Sequence, residues 1–167
     1  MDVGSKERVI ICPLKNSSVE IITDGMRIME LIYHPVKMEK HTSKGAVPPI
    51  ANQAVRELEE YFSGKRKNFT LPLKLCGSDF QLEVWTQLRK IPYGAVRTYG
   101  DIAKALGKPQ AIRAVGQAVG KNPVQIIIPC HRVVGKDGSM TGYSADGGIE
   151  AKKKLLCMEQ SRCCNQS

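Results

Sequence analysis

The sequence predicts an α/β (α+β) protein with two domains, a small antiparallel-sheet α/β domain over residues 1–77 and a helical domain over residues 78–160. Three observations predict this division. Short segments rich in β-branched residues come first, amphipathic helical patterns follow, and Cys76-Gly77 marks the change between them. With 167 residues, 42% of them hydrophobic, the chain is long enough to bury a core. Residues 161–167 are expected to form a flexible tail.

The first domain is predicted to begin with three strands. Residues 7–12, 19–23 and 27–33 are short, β-branched segments separated by turn formers, so we expect them to pair as an antiparallel sheet. Pro49–Phe62 then places apolar side chains on one stripe and charged side chains off it. This pattern predicts an amphipathic helix, which Ser63-Gly64 ends.

The second domain is predicted to be helical from its first residue. Ser78 with Gln81, and later Thr98 with Asp101, form the capping-box pattern that starts a helix. A third helix is expected over residues 111–121. The last two helices are short and joined by a tight turn that contains glycine, which outlines a helix-turn-helix. Such an outline occurs both in DNA-binding units and as plain packing.

The third helix has two different faces. Its core-facing positions are Ala111, Val115 and Val119, whereas its outer face carries small or polar residues: Arg113, Gly116, Gln117 and Gly120. A glycine inside a helix costs roughly 1 kcal/mol relative to alanine, so two of them suggest that something approaches the backbone closely. A groove of DNA and a tightly packed second helix both remain open as explanations.

Charge and cysteine content limit the function classes. The net charge is +9, and Lys and Arg outnumber Asp and Glu by three in residues 1–77 and by six in residues 78–167. The second domain is therefore the better partner for a polyanion, although a basic surface also serves solubility alone. The first apolar run, residues 9–11, is too short for a signal peptide or membrane span. Six scattered cysteines form no recognisable disulfide framework, so we expect reduced thiols and a protein that is not secreted.

A reactive cysteine is the main chemical hypothesis. Residues 124–128 have the pattern of a buried strand and run directly into Pro129-Cys130-His131-Arg132. A cysteine becomes a strong nucleophile when a neighbouring base or positive charge favours its thiolate. Successive side chains of a regular strand point to opposite faces, so Cys130 and His131 can interact only across a bend or through a water. A buried structural cysteine beside a surface imidazole is the alternative.

The string PCHRV at residues 129–133 resembles the active-site signature of the O6-alkylguanine-DNA alkyltransferases. Four further strings follow the order and approximate spacing of that family: RTY at 97–99, AVG at 114–116, NPV at 122–124 and GYS at 142–144. The resemblance is close over residues 80–159 and weak before residue 78. It implies a ribonuclease H-like first domain and a second domain of the winged helix-turn-helix type.

The resemblance implies direct-reversal DNA repair. Such a protein moves the alkyl group from O6-alkylguanine, and from O4-alkylthymine, in double-stranded DNA to its own cysteine, irreversibly and once per molecule. Carried onto this chain, Cys130 is the acceptor, His131 is the general base acting through a water, and Glu159 orients His131. Asn122 would brace the turn before the active-site segment. The resemblance implies a monomer without a cofactor, located in the nucleus of a eukaryote or otherwise in the cytoplasm with the nucleoid.

The resemblance also implies how DNA is held. The helix-turn-helix would enter the minor groove, where Arg113 fills the place of a flipped nucleotide and Tyr99 crowds its phosphate and donates to guanine N3. The other implied DNA contacts are Thr98, Ala114, Gly116, Gln117 and Gly120.

The implied pocket reads the flipped base on several sides. The backbone carbonyls of Cys130 and Val133 would accept from the guanine amino group. Tyr143 and Ser144 would form the pocket wall, with the Ser144 N–H donating to O6. The chain departs from many relatives here, because Ala145-Asp146 delays the paired glycines at 147–148.

Two other function classes and a metal site were weighed. A non-catalytic lesion-binding protein would share the fold but lack the cysteine that stands at position 130. A cysteine hydrolase would need turnover and an orienting Asn or Asp, and it leaves Arg113 and Tyr99 unexplained. Some family members carry zinc in the first domain, but that ligand pattern does not recur here, so Cys12, His34 and His41 are expected to bind no metal.

Overall fold

The chain folds into two compact units, residues 1–75 and residues 76–167. The predicted boundary, after residue 77, lies two residues further along. The computed structural model describes residues 6–14, 17–36, 38–39, 41–42, 46–143 and 147–161. Sheet and helix are both present, which confirms the predicted α/β (α+β) class.

The first unit contains a four-stranded antiparallel sheet. Its strands are β1 (Glu7–Leu14), β2 (Ser17–Thr23), β3 (Ile28–His34) and β4 (His41–Thr42), in the spatial order β3-β2-β1-β4. The first three correspond to the three predicted strands. The two-residue strand β4 was not predicted, because a segment that short has no pattern of its own and depends on its pairing with β1.

Helix α1 (Pro49–Phe62) packs against this sheet and has the predicted bounds. It begins with proline at its first position, where the missing N–H would have had no intrahelical partner. Ala54, Leu58 and Tyr61 are fully buried, as the apolar stripe predicts. Glu57, which the pattern places off that stripe, is also buried, and it accepts hydrogen bonds from Thr70 N at 2.9 Å and Gln53 Nε2 at 3.0 Å.

The second unit is mainly helical. Its elements in chain order are α2 (Asp79–Leu88), β5 (Arg97–Thr98), α3 (Tyr99–Ala105), α4 (Ile112–Gly120), a 3₁₀ turn (Cys130–Arg132), β6 (Val133–Val134) and α5 (Gly148–Gln160). Strands β5 and β6 pair in parallel. Both predicted capping boxes are present, with Ser78 starting α2 and Thr98 starting α3.

Helices α2, α3 and α4 pack together and form the core of the helix-turn-helix region. Trp85 is buried in α2 and its indole Nε1 donates to Ala118 O of α4 at 2.9 Å, which satisfies the polar atom of the largest core side chain. Val115 and Val119 of α4 are buried as predicted. The buried side chains of α2 are Val84, Trp85 and Leu88, whereas Phe80 is half-buried.

Residues 124–128 form a buried turn, and the prediction of a strand there is wrong. Ile128 N donates to Val124 O at 3.0 Å, which closes the turn, and Ile126 adopts a φ of 70°. A β-branched residue in this left-handed region costs of order 1–3 kcal/mol and persists only where its surroundings hold it. Val124, Ile126 and Ile128 are all buried, so the apolar pattern predicted burial correctly but not the path of the chain.

Two further findings concern the state of the cysteine thiols and the hydrophobicity of the helices among the described residues. Cys76 is exposed and Cys130 buried, both with free thiols, whereas Cys157 is disulfide-bonded, which corrects the expectation of a reduced thiol at that position. No helix in the described part of the chain is long and apolar enough to cross a bilayer.

Candidate active site

Cys130 opens the 3₁₀ turn and is almost completely buried. The chain bends at Pro129, whose carbonyl accepts from Arg132 N at 3.0 Å, and Cys130 N donates back to Ile128 O at 2.8 Å. A 3₁₀ turn has three residues per turn, so consecutive side chains do not alternate between opposite faces as they do in a strand. The bend that an interaction between Cys130 and His131 requires is therefore present.

The Cys130 thiol is protonated at rest. Burial raises the pKa of Cys130, while its hydrogen bond with Asn122 and the positive charge of Lys152 act in the opposite direction without cancelling the effect. Because the thiolate is the nucleophilic form, this cysteine needs a base to remove its proton.

His131, Glu159 and Arg132 form a buried hydrogen-bonded cluster. His131 Nε2 lies 2.6 Å from Glu159 Oε1, and the Arg132 guanidinium forms a two-pronged ion pair with the same carboxylate, with Nε to Oε2 at 2.8 Å and Nη2 to Oε1 at 2.9 Å. All three side chains are buried. A carboxylate that accepts from an imidazole fixes the orientation and tautomer of the ring.

His131 has the character of a neutral base. Burial lowers the pKa of His131 below its ordinary value of 6.5, against the opposing effect of Glu159. With Nε2–H directed at Glu159, the lone pair resides on Nδ1, which has no hydrogen-bond partner among the described residues. That nitrogen is available to receive a proton.

Helix α5 places Glu159 in the cluster, and the loop after α2 holds its carboxylate from the other side. Gly94 N donates to Glu159 Oε2 at 3.1 Å, and Gln160 Nε2 donates to Gly94 O at 3.2 Å. Gly94 has a φ of 77°, and a Cβ added there would lie 3.2 Å from Glu159 O. This position therefore requires glycine for both its backbone conformation and the close approach of α5.

Asn122 lies at the base of the turn that leads to Cys130. Its Nδ2 donates to Ile128 O at 2.7 Å, and its Oδ1 accepts from Val124 N at 2.9 Å. The side chain thus closes the turn of residues 124–128 from inside and also contacts the thiol through the hydrogen bond noted above.

Tyr99 is the first residue of α3, and its hydroxyl donates to Thr141 O at 3.1 Å. The other predicted DNA contacts lie at the start of α3 and on α4. Thr98 is half-buried and its side chain caps α3, accepting from Asp101 N at 3.1 Å. Gly116 is half-buried and faces the Tyr99 ring. The exposed members of the set are Arg113, Ala114, Gln117 and Gly120.

The two glycines of α4 are not required by packing among the described residues. A Cβ added at Gly120 would meet nothing within 4 Å, and one added at Gly116 would make only ordinary contact with the Tyr99 ring at 3.9 Å. The second explanation considered for these glycines, a tightly packed neighbouring helix, therefore finds no support in the described part of the second unit. The other explanation for these glycines is an external partner that approaches the helix backbone closely.

The predicted base-reading residues are only partly described. Val133 is fully buried in β6, where it follows the 3₁₀ turn. Tyr143 is half-buried. Ser144 lies outside the described residues together with Ala145 and Asp146, so the predicted pocket wall is described only up to residue 143.

Two buried cations at the site were not predicted to act there. Arg132 was considered only as a charge next to Cys130, and its partner Glu159 is 27 residues away. Lys152 belongs to a run of three lysines, Lys152 to Lys154, of the kind that usually faces solvent or phosphate. It is instead fully buried, and its Nζ donates to Thr141 O at 3.2 Å. Its helical spacing from Leu155, Leu156 and Glu159 on the buried face of α5 would have predicted this burial.

No metal site was predicted, and the described residues contain no group of three or more His, Cys, Asp or Glu side chains that could hold one. The second unit combines a helix-turn-helix with a buried cysteine, a neutral histidine and a carboxylate that holds the histidine. Fold and site together define a helix-turn-helix protein with a buried cysteine next to a histidine–carboxylate pair.

Comparison with known proteins assigns the family. Residues 79–161 match the family model described as "6-O-methylguanine DNA methyltransferase, DNA binding domain", and residues 36–75 match "6-O-methylguanine DNA methyltransferase, ribonuclease-like domain". The chain is 43% identical over 152 residues to the methylated-DNA–protein-cysteine methyltransferase of Mycobacterium tuberculosis, which covers 91% of this chain and 88% of that protein. The chain belongs to the 6-O-methylguanine-DNA methyltransferase family.

Two further comparisons extend this result. The inducible methylated-DNA–protein-cysteine methyltransferase of Bacillus subtilis is 55% identical over 104 residues, and the matched part spans 57% of its length. The crystal structure of Mycobacterium tuberculosis OGT in complex with DNA superimposes with a TM-score of 0.76 at 42% identity, covering 93% of each chain. The likeness therefore extends through both units.

Proposed function

We propose that this protein is a methylated-DNA–protein-cysteine methyltransferase that transfers the alkyl group of O6-alkylguanine, and of O4-alkylthymine, in DNA to its own Cys130. The observation that carries the proposal is the buried Cys130 in a tight turn with His131, whose Nε2–H is held by Glu159 and whose Nδ1 has no partner in the described structure. The similarity to a Mycobacterium tuberculosis enzyme of that name over 91% of the chain supports it.

The first step is removal of the thiol proton. A water between Cys130 and His131 would pass that proton to the free Nδ1, and the Glu159 carboxylate would stabilise the imidazolium through Nε2–H. The neutral state of His131 supports this direction of transfer. Lys152 supports it as well, because its charge acts to lower the pKa of Cys130.

The second step is displacement at carbon. The thiolate forms a bond to the alkyl carbon, the bond from that carbon to O6 breaks, and the electron pair passes into the guanine. Guanine leaves poorly as an anion, so protonation of N3 by the Tyr99 hydroxyl would assist departure. The product is a thioether at Cys130, which no group at the site can cleave. Each molecule therefore acts once and needs no cofactor.

The exposed face of α4 is the proposed DNA-reading surface. Minor-groove binding suits a protein that must inspect any sequence, because base readout there is degenerate. Arg113 is exposed on this face and would occupy the place of the flipped base, while Tyr99 at the start of α3 stands next to the target. The room beside Gly116 and Gly120 supports close approach of the groove.

The pocket residues would recognise the flipped guanine through their backbones. The carbonyls of Cys130 and Val133 would accept from its amino group, and Tyr143 and Ser144 would contact the opposite side of the base.

We also propose that the protein acts as a monomer and in the compartment that holds the chromosome, since one chain supplies every group that the reaction needs. A single protein per lesion duplex in analytical ultracentrifugation is the expected stoichiometry.

The test is intact-protein and peptide mass spectrometry after incubation with duplex DNA that contains O6-methylguanine. We expect one added methyl group per molecule, on the Cys130 peptide, and none with the unmodified duplex. Cys130→Ala should bind the lesion but gain nothing. Cys76→Ala, which removes an exposed free thiol of the same unit, should react like the unchanged protein.

Two outcomes would contradict the proposal. Tight lesion binding by the unchanged protein without any mass gain would identify a non-catalytic lesion binder. Release of the methyl group with repeated turnover would identify a hydrolase.

A further inference from the structure

Arg132 is buried in the centre of the site, yet neither step of the proposed reaction uses it. Besides its two hydrogen bonds to Glu159, its Nη1 donates to Ile91 O at 2.7 Å, and its guanidinium carbon lies 5.7 Å from the centre of the Tyr93 ring. The side chain is 6% exposed. Burying a guanidinium so completely is unfavourable unless a carboxylate compensates it, and here one does.

The pairing has an electrostatic consequence for His131. A lone carboxylate next to a buried imidazole favours the imidazolium, which has no lone pair left to accept a proton. A carboxylate that is already paired with a guanidinium stabilises the imidazolium less. The positive charge of the guanidinium also disfavours a second positive charge nearby. Arg132 and Lys152 both act to lower the pKa of His131, whereas Glu159 acts to raise it.

The charged and titratable groups around His131 come from three elements. Helix α5 contributes Glu159 and Lys152, the 3₁₀ turn contributes Cys130 and Arg132, and the loop after α2 contributes Tyr93. Glu159 is the one carboxylate among them in the described structure. Burial is the largest influence that lowers the pKa of His131, and compensation of the Glu159 charge by the Arg132 ion pair acts in the same direction.

We propose that Arg132 is a positioning residue that compensates the charge of Glu159 and thereby keeps His131 a neutral base for the Cys130 proton. The inference rests on the proposed function, since it assumes that His131 receives that proton. Two parts of the role are separable. The positive charge compensates Glu159, and the planar fork fixes both carboxylate oxygens, which a lysine cannot do.

The test combines two measurements on Arg132→Gln and Arg132→Lys. The protonation of His131 is followed by NMR of protein with ¹⁵N-labelled histidine, and the single-turnover rate on O6-methylguanine duplex is measured as a function of pH. Arg89→Gln removes one exposed positive charge from the same unit and serves as the matched control.

In Arg132→Gln we expect His131 to titrate at least about one pH unit higher, with the acid limb of the rate profile moving equally, so that the rate at a fixed pH on that limb falls about tenfold or more. Arg132→Lys should retain the His131 titration of the unchanged protein while losing part of the rate. Arg89→Gln should change neither.

Three results would overturn the proposal. One is an unmoved His131 titration in a folded Arg132→Gln protein, and another is an equal loss in both variants with the pH profile unchanged, which a merely structural role would give. The third needs no variant: His131 present as imidazolium at neutral pH in the unchanged protein. If the unchanged protein gains no methyl on Cys130, the proposed function fails instead, while the NMR titration still tests the effect of Arg132 on His131.

Discussion

Cys130 and His131 are tuned so that neither is ionised in the resting protein. Burial raises the pKa of the thiol and lowers the pKa of the imidazole. Proton transfer from the thiol to the imidazole is therefore unfavourable until a substrate reacts with the thiolate. The resting site is consequently expected to react poorly with general electrophiles.

The pH dependence of alkyl transfer follows from the lowered pKa of His131. The base must be neutral, and a neutral His131 is present above its folded pKa, which lies below 6.5. We therefore expect the midpoint of the acid limb of the single-turnover rate to lie below pH 6.5. The measurement is rapid-quench kinetics with protein in excess over lesion duplex. A rate that already halves near pH 7 would contradict the expectation.

Lys152 is the second cation whose effect can be measured. Lys152→Met keeps an unbranched stem in the core but removes the charge that opposes the raised pKa of Cys130. We expect alkylation of Cys130 by iodoacetamide to begin at higher pH and methyl transfer at neutral pH to slow several-fold. Lys153→Met, at the exposed neighbouring position, is the matched control and should leave both unchanged. Equal behaviour of the two variants would argue against an electrostatic role.

The sequence and the family resemblance named Cys130, His131 and Glu159 as candidate site residues, but not the two cations beside them. Cys130 and His131 are adjacent, so a short string identifies them. Arg132, by contrast, depends on a carboxylate 27 residues away, and Lys152 depends on which face of α5 turns inward. Charge compensation between residues so far apart in the sequence arises only in the folded unit, so no short stretch of sequence indicates it.

At the scale of elements, helix starts were predictable because their signals are local. The capping boxes at Ser78 and Thr98 satisfy orphan N–H groups within four residues, whatever the tertiary context. The turn at residues 124–128 was not predictable in the same way. Its conformation depends on Asn122 holding both Val124 and Ile128, while its apolar composition is equally typical of a strand.

Helix α4 allows an experiment with opposite effects on stability and on binding. Gly116→Ala adds a Cβ that has room in the free protein, so the fold should gain up to about 1 kcal/mol. The same methyl group would stand between the helix and a DNA groove, so we expect weaker binding to a lesion duplex. Thermal unfolding and fluorescence anisotropy measure the two effects. Unchanged affinity in a stabilised protein would show that DNA does not approach this part of α4.

At the scale of the whole molecule, the uneven charge gives a prediction about salt. Residues 78–167 carry twice the excess of positive charge found in residues 1–77. If about five phosphates are contacted, affinity for an undamaged duplex should fall several hundredfold between about 50 and 200 mM salt. Anisotropy titrations at several salt concentrations measure this. Methyl transfer from free O6-methylguanine base, which has no phosphates, is the control and should show little salt dependence.

The two-unit organisation was predictable from the change of pattern near residue 77, because strands and amphipathic helices have different periods.

The carbonyl of Thr141 has one further consequence. It accepts from both the Tyr99 hydroxyl and Lys152 Nζ. When the Tyr99 hydroxyl turns to a guanine N3 in the proposed reaction, this carbonyl keeps its bond to Lys152 and is not left without a donor. The exchange therefore requires no new partner for this carbonyl. A protein that must interrogate many normal bases for each damaged one can thus make and undo this contact at little energetic expense.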